Sequence, residues 1–233
     1  MTPDISLIVA ALNEEQTIER CVQRLFAVFP SRAEVLVVDG GSDGTQQRVE
    51  QMARTHPGLR YVRNEHDRGK GHAIRVGVAA ARGRLQAQID ADLQFLPEEL
   101  PQLLAPLETG RADVVLGSRF AHGATRRQGG TPLLRSAGNH VASAYASVLF
   151  RHPMTDIMAG MKAWTREAMA RIHLRSDNYS YEVEIPARAL MAGLRVVDVP
   201  VTTQARQGGE THVNVVRDGL RLLWDITRFR AGG

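Results

Sequence analysis

The alternation of short apolar runs with amphipathic segments along the first half of the chain constrains the fold more than any other feature. Each apolar run has the length of a strand. The runs are Ile5–Ala10, Glu34–Val38, Leu59–Val62, Leu85–Ile89 and Ala112–Leu116. Between the first two runs, Ile18, Val22, Leu25 and Phe29 recur at helical spacing. Strand–helix alternation of this kind predicts an α/β fold with a mostly parallel sheet and helices on both faces.

The composition excludes disordered and fibrous classes and favours an anionic ligand. Hydrophobic residues make up 43% and charged residues 23% of the 233 residues, which is ordinary globular usage. At about 150 residues per domain, one full-sized domain is expected. The net charge is +4, and the cations are nearly all arginine because Lys70 and Lys162 are the only lysines. The arginine guanidinium matches planar oxyanions such as phosphate.

The sequence also bears on where the protein works. A single cysteine, Cys21, cannot form an internal disulfide, which favours a reducing compartment. No apolar run reaches the length of a membrane-spanning helix, and Val141–Phe150 is expected to be a core helix. The first residues lack the pattern of a signal peptide. We therefore expect a cytoplasmic protein, soluble or peripheral on the inner face of a membrane.

Three polar turns follow predicted strands, at the edge where ligands of such sheets bind. They are Asn13-Glu14, Asp39–Asp43 and Asp90–Gln94. Asn13 is also expected to cap the next helix, with Gln16 as its capping-box partner.

The turn Asp90-Ala91-Asp92 is the candidate metal site. Two carboxylates one residue apart can share a hard divalent cation, and Gln94 adds a neutral oxygen. Such a metal keeps open positions for substrate phosphates. The alternative is that these aspartates only favour the N-terminus of the following helix, Leu96–Leu107. The Asp92 carboxylate is expected to be exposed in this turn.

Two glycine-containing turns are candidate donor-binding elements. In the first, Asp39 is followed by two glycines that permit close backbone approach to a ligand, so Asp39 could accept hydrogen bonds from a base or ribose. The alternative is a strand-to-helix turn capped by Ser42 or Asp43. In the second, Arg68-Gly69-Lys70-Gly71 precedes a helix of small residues, which suits an anion. A solvated turn is the alternative there.

An acid-free stretch separates Asp113 from Asp156: 42 residues without Asp or Glu. Its arginines are Arg119, Arg126, Arg127, Arg135 and Arg151. Such a stretch beside a sheet edge suits a second anionic substrate. A solvated or nucleic-acid-binding surface is the alternative, and the scarcity of interleaved aromatics disfavours nucleic acid.

Two features lie near the end of the chain. Glu182 and Glu184 begin a helical stretch and could serve acid–base chemistry, or only favour the helix N-terminus. Residues two apart do not share a helix face, so one of them is expected to enter the site. Val213–Phe229 forms an amphipathic helix, either packed on the core or lying on a membrane surface.

In order, these motifs resemble the family-2 glycosyltransferases with a GT-A fold. The segments that carry the resemblance are Ser6–Glu14, Val38–Gly44, Arg68–Gly71, Asp90–Gln94 and Leu116–Arg119. Two more, Thr155–Gly160 and Arg206–His212, resemble segments of dolichyl- and polyprenyl-phosphate mannose synthases. The resemblance implies a GT-A (Rossmann-like) catalytic domain over residues 1–212, followed by the amphipathic helix over 213–233.

The resemblance also implies roles for individual residues. The donor would be bound by Ala10, Leu12, Glu14, Asp39, Lys70 and Asp90. Mg²⁺ or Mn²⁺ would be held by Asp90, Asp92 and Gln94. The catalytic residues would be Asp92, Arg119 and Arg206, and the acceptor would contact Arg119, Arg135, Arg206 and Glu182.

The chain departs from the usual pattern of these relatives at several positions. Ala10 and Leu12 stand where Pro and an aromatic residue are common, and Gly40 where a second Asp is frequent. On the acceptor side, the departures are Thr131, Ile157 and His212. The nucleobase and the acceptor are therefore left open by the resemblance.

The function expected is inverting transfer of a sugar from GDP-mannose or a UDP-sugar to a polyprenyl or dolichyl phosphate. A phosphate acceptor is already ionised and needs no general base, whereas a hydroxyl acceptor would need one from Glu182, Glu184 or Asp156. Transfer to a hydroxyl is the first alternative, and a nucleotide-sugar-binding module without catalysis is the second. A peripheral membrane contact is expected, and nucleic acid is not expected as a partner.

Overall fold

The computed structural model describes residues 3–127, 133–208 and 215–232. The strands are β1 Ile5–Ala11, β2 Ala33–Asp39, β3 Leu59–Arg63, β4 Leu85–Asp90, β5 Val114–Ser118, β6 Thr125–Arg126, β7 Lys162–Thr165, β8 Val196–Pro200 and β9 Thr202–Thr203. The helices are α1 Ile18–Val28, α2 Thr45–Ala53, α3 Lys70–Ala80, α4 Leu100–Glu108, α5 Leu133–Phe150, α6 Arg166–Arg171, α7 Tyr181–Met191 and α8 Val215–Arg230. A 3₁₀ turn over Pro97–Glu99 precedes α4.

The central sheet has the strand order β3-β2-β1-β4-β7-β5-β8. Neighbouring strands are parallel, except that β7 runs antiparallel to both β4 and β5. The mostly parallel sheet is thus confirmed, and each of the five predicted strands is present within two residues of its expected ends. Strands β7 and β8 were not predicted. The short strands β6 and β9 pair outside the main sheet.

Apolar side chains from the strands fill two layers, one on each face of the sheet. In β1, Leu7 and Val9 belong to the layer beneath α1 and α4, while Ile8 belongs to the layer beneath α3, α5, α7 and α8. Successive residues of a strand point to opposite faces, so a strand that is apolar throughout is buried on both sides. Full burial of one such side chain contributes about 1.5–3 kcal/mol.

The C-terminal helix α8 packs on the core and also presents an apolar side chain to solvent. Ile226 and Phe229 are buried in the second layer, whereas Trp224 is 67% exposed. In α5, the expected core role is only partly right, because Ala142 is buried but Val148 is 80% exposed. Among the described residues, no helix has the length and apolarity needed to cross a membrane. The expected boundary at residue 212 lies outside the described residues.

Glu34 ties together the edge of the sheet opposite the polar turns. Its carboxylate accepts hydrogen bonds from Ser6 Oγ at 2.6 Å, Arg60 Nη1 at 2.8 Å and Arg82 N at 2.7 Å. Burial alone would raise the pKa of Glu34, but these donors outweigh burial and hold the pKa below its ordinary value of 4.5. The ionised form therefore stabilises the fold.

We expect Glu34→Gln to lower the free energy of unfolding at pH 7 by about 1.5–3 kcal/mol, the contribution of hydrogen bonds to a charged group. Because the folded-state pKa is depressed, this stability is present above pH 4.5 and is lost as the pH falls through the folded-state value. Urea unfolding at several pH values should show the gap between wild type and variant closing in acid. Glu108→Gln, which removes an exposed partner of Arg32, is the control and should cost less than about 1 kcal/mol. A gap that persists unchanged in acid would contradict the assignment.

Candidate active site

Strand register brings the three polar turns together at one edge of the sheet. Ala10 lies between Val38 of β2 and Asp90 of β4, and Ala11 pairs with Asp39. The turns that follow β1, β2 and β4 therefore project from adjacent strand ends. The sequence predicted that these turns share one edge, but not the order of the strands. Leu12, expected in the donor pocket, is 57% exposed at this edge.

The turn after β1 is fastened to the turn after β2. Asn13 Oδ1 accepts from Ser42 N at 2.9 Å, and Thr45 Oγ1 accepts from Glu14 N at 3.0 Å. The expectation that Asn13 caps the first helix is wrong, because Asn13 has a φ of +58° and α1 begins only at Ile18. Its side chain instead joins the two turns.

Asp39 is buried at the end of β2 with both carboxylate oxygens engaged. Oδ1 accepts from Gly41 N at 2.8 Å, and Oδ2 accepts from the Tyr61 hydroxyl at 3.1 Å. The structure also explains the glycine at position 40. A Cβ there would lie 2.7 Å from the side chain of Asp67, so Asp67 fills the space that a larger residue would need.

Asp90 and Asp92 each pair with a cation of the chain. Lys70 Nζ lies 2.7 Å from Asp90 Oδ1, and Arg206 Nε lies 2.8 Å from Asp92 Oδ2. Asp92 is only 3% exposed, so the expectation that its carboxylate faces solvent is wrong. Burial and the neighbouring Asp90 raise the pKa of Asp92 above its ordinary value. Asp92 Oδ1 also accepts from Gln94 N at 2.9 Å.

Glu182 lies between the two lysines of the chain. Its Oε1 is 3.4 Å from Lys70 Nζ and accepts from the Tyr181 hydroxyl at 2.6 Å, while its Oε2 pairs with the buried Lys162. Gln88 Nε2 donates to the Tyr181 hydroxyl at 3.1 Å. Burial would lower the pKa of Lys70, but Asp90, Tyr181 and Glu182 raise it well above the ordinary value.

This network connects the candidate metal turn with α7 and β7. The sequence did not predict Lys162, Tyr181 or Gln88 as site residues. The rarity of lysine was the one signal in the sequence that could have indicated Lys162. The structure shows that both lysines of the chain contact the same carboxylate, that of Glu182. Glu184, two positions after Glu182, points away from this network, and its carboxylate pairs with Arg188 Nε at 2.7 Å.

Arg119 makes a buried two-pronged ion pair directly after β5. Its Nε and Nη2 donate to Asp156 Oδ2 at 2.6 Å and Oδ1 at 2.8 Å. Asp156 is fully buried, and the Arg119 side chain is 10% exposed. Burial disfavours the guanidinium charge, but Asp156 outweighs burial and raises the pKa of Arg119. Two of the sequence motifs thus meet here.

The segment carrying Arg206 also reaches this edge. The helical backbone of α5 includes Arg135, but the side chain of Arg135 lies outside what is described, as do Thr131 and His212. Their expected roles stay predictions. Gly160, from the motif that contains Asp156, closes the site beside Asp90, because a Cβ at Gly160 would lie 3.1 Å from Asp90 Oδ2.

The donor atoms at this edge fit a divalent cation bound together with a substrate. Within the described part of the chain, no three Asp, Glu, His or Cys side chains are gathered to enclose a metal by themselves. Mg²⁺ in phosphate-handling sites is usually held by one or two carboxylates and by substrate phosphates. Asp90 and Asp92 supply such a pair, and Gln94 belongs to the same turn.

With this geometry in place, comparison with known proteins assigns the family. The profile of Glycosyl transferase family 2 matches residues 6–172, so the chain belongs to that family and is a glycosyltransferase. The resemblance read from the motifs is confirmed.

Two curated relatives are similar over most of their length. An undecaprenyl-phosphate mannosyltransferase of Micrococcus luteus is 31% identical, with 97% of this chain and 98% of that protein covered. A polyprenol monophosphomannose synthase of Mycolicibacterium smegmatis is 32% identical, with 87% and 78% covered.

Solved structures agree with the fold. Glucosyl-3-phosphoglycerate synthase of Mycobacterium tuberculosis, crystallised with Mn²⁺, UDP and phosphoglyceric acid, matches with a TM-score of 0.72 at 22% identity. The match covers 99% of this chain and 79% of that one. The architecture is therefore GT-A, as expected.

We expect Asp156→Asn to destabilise the protein by about 3–5 kcal/mol, because it leaves the Arg119 guanidinium buried without its counter-ion. The matched control is Asp113→Asn. Asp113 makes the same two-pronged pair with Arg195, but the Arg195 side chain is 57% exposed, so the loss there should stay below about 1 kcal/mol. Thermal and urea unfolding of both variants measure the difference, and equal losses would contradict the importance of burial.

Proposed function

We propose that the protein transfers a sugar from a nucleotide-diphosphate sugar to a polyprenyl phosphate, with inversion at the anomeric carbon. The names of the two relatives matched over most of their length support this acceptor class and favour mannose. The solved neighbour holds UDP, so both GDP-mannose and UDP-sugars are donors to test. The donor residues are Ala10, Leu12, Glu14, Asp39, Lys70 and Asp90.

Asp90, Asp92 and Gln94 would hold Mg²⁺ or Mn²⁺ beside the donor diphosphate. When bound, a divalent cation neutralises the charge that develops on the leaving diphosphate. Mn²⁺ and Mg²⁺ are each present in structures of the GT-A neighbour. Lys70, next to Asp90, is placed to add a fixed positive charge at the same edge.

One observation favours a phosphate acceptor over a hydroxyl. The three carboxylates that could serve as a general base for a hydroxyl are all engaged with cations. Glu182 lies between two lysines, Glu184 pairs with Arg188, and Asp156 pairs with Arg119. An ionised phosphate needs no base, whereas it does need cations to offset its charge.

The chemistry then requires only that two anions be brought together. A phosphate oxygen of the acceptor forms a bond to the anomeric carbon while the bond from that carbon to the diphosphate breaks. The nucleoside diphosphate leaves with the electron pair. The residues proposed to orient the acceptor are Arg119, Arg135, Arg206 and Glu182, whose carboxylate pairs with both lysines. Positioning of this kind lowers the activation barrier.

We expect Asp92→Asn to abolish Mn²⁺-dependent binding of the nucleotide sugar, because it removes one of the two carboxylate ligands. Calorimetry with a panel of GDP- and UDP-sugars, with and without Mn²⁺, measures this. Asp4→Asn, which lies at the opposite edge and pairs with Arg32, should bind the donor as wild type does.

The same preparations then separate the acceptors. A short polyprenyl phosphate should accept the sugar and the corresponding polyprenol should not. Transfer to the polyprenol that disappears in Glu182→Gln would favour the hydroxyl alternative. Wild-type donor binding in Asp92→Asn would contradict the metal assignment, and donor binding without transfer to any acceptor would favour a binding module.

A lipid acceptor calls for contact with a membrane, and one surface of the protein suits it. On α5 and α8, Val141, Val148 and Trp224 are 62%, 80% and 67% exposed. These helices pack together, with the Tyr145 hydroxyl 2.7 Å from Thr227 Oγ1. Exposed arginines of the same helices and their ends are Arg151, Arg221, Arg228 and Arg230. We name this surface the α5–α8 face and propose that it lies on an anionic, cytoplasm-facing bilayer.

We expect the fluorescence of Trp224 to shift to the blue when anionic vesicles are added, because the indole would leave water for the membrane interface. The second tryptophan, Trp164, is fully buried and should contribute a constant signal. Vesicles of zwitterionic lipid alone should give a much smaller shift, and Trp224→Ser should remove it. An unchanged spectrum with anionic vesicles, together with no co-sedimentation, would contradict this orientation.

A further inference from the structure

Each carboxylate oxygen of Asp92 has a partner within the chain. Asp92 Oδ1 accepts from Gln94 N at 2.9 Å, and Oδ2 pairs with Arg206 Nε at 2.8 Å. The Asp92 side chain is 4% exposed. A divalent cation that uses Asp92 as a ligand therefore meets a carboxylate that already has a positive partner.

Arg206 reaches Asp92 because its segment is fastened to the metal turn. Gln207 N donates to Asp92 O at 2.9 Å, and Gln204 N donates to Gln94 O at 3.0 Å. The Gln204 side chain adds a bond to Leu93 O at 2.8 Å. Backbone bonds on both sides of Arg206 thus hold its guanidinium against the carboxylate.

The electrostatic surroundings make this pairing more than a surface contact. One residue separates Asp90 from Asp92 in the turn. Asp90 pairs with Lys70, and Asp92 pairs with Arg206. A divalent cation between the carboxylates would repel both of these side chains. Arg206 sits in a loop segment, whereas Lys70 begins α3 and also contacts Glu182.

We propose that Arg206 is an exchangeable counter-ion of Asp92, displaced by the divalent cation and then available to a substrate phosphate. The inference rests on the proposed function for the identity of the cation and the phosphate. Arg206 acts here as a positioning residue. The exchange couples binding of the metal to the position of residues 203–208. Arg206 therefore becomes available to the acceptor phosphate only after the divalent cation has bound at Asp90 and Asp92.

The test is a calorimetric titration of Mn²⁺, without nucleotide, into the full chain and into Arg206→Met. Removal of the competing cation should tighten Mn²⁺ binding about fivefold, which corresponds to an ion pair worth about 1 kcal/mol. Arg206→Lys, which keeps the charge, should return most of the wild-type affinity. Arg195→Met is the matched control: it removes an equal charge from a pair with Asp113 at the opposite edge and should leave Mn²⁺ affinity unchanged.

Hydrogen exchange supplies a second readout that does not depend on activity. Saturating Mn²⁺ should speed exchange of the Gln204 and Gln207 amides in the wild type, because their bonds to the metal turn loosen as Arg206 leaves. Mn²⁺ affinity that is unchanged or weaker in Arg206→Met, or amides that exchange more slowly with Mn²⁺, would overturn the exchange while leaving the proposed metal site in place. Absence of Mn²⁺ binding to every variant, with and without nucleotide, would overturn both.

Discussion

The acidic side chains at the C-terminal ends of the parallel strands must be neutralised, and the rest of the structure depends on this constraint. Asp90, Asp92 and Glu182 are all withdrawn from bulk water to some degree, and an ionised carboxylate in such a place is costly unless it is paired. The paired cations are Lys70, Lys162 and Arg206. They come from three elements far apart in the sequence, so the charge balance of this edge holds distant parts of the chain together.

The strands that lead to this edge could be predicted because their signal is local. A short strand that is buried on both faces is apolar throughout, and its ends are marked by polar turns. The order of those turns then placed Asp39, Asp90 and the candidate metal ligands at one edge. Strand β7 gives no such signal, since it is four residues long and begins with a buried lysine. Its place between β4 and β5 is set by pairing across the fold.

The parts that sequence reasoning missed all depend on contacts between distant residues. Asp92 is expected to be exposed when only its turn is considered, and it is buried because the segment around Arg206 covers it. Asn13 has the composition of a helix cap, but its best hydrogen-bond partner lies in the turn after β2. The sequence placed these residues in the turns that follow the strands, whereas their partners required the fold.

The scarcity of lysine gives the folded protein an unusual reactivity. Lys162 is fully buried, and the Lys70 side chain is 18% exposed. Apart from the α-amino group, an amine-directed acylating reagent or cross-linker therefore finds a single partly accessible amine, and that amine lies beside Asp90. Because Asp90, Tyr181 and Glu182 outweigh burial and hold the pKa of this amine well above its ordinary value, it stays protonated and is a poor nucleophile. The folded protein should therefore be unusually resistant to acylation of its lysines.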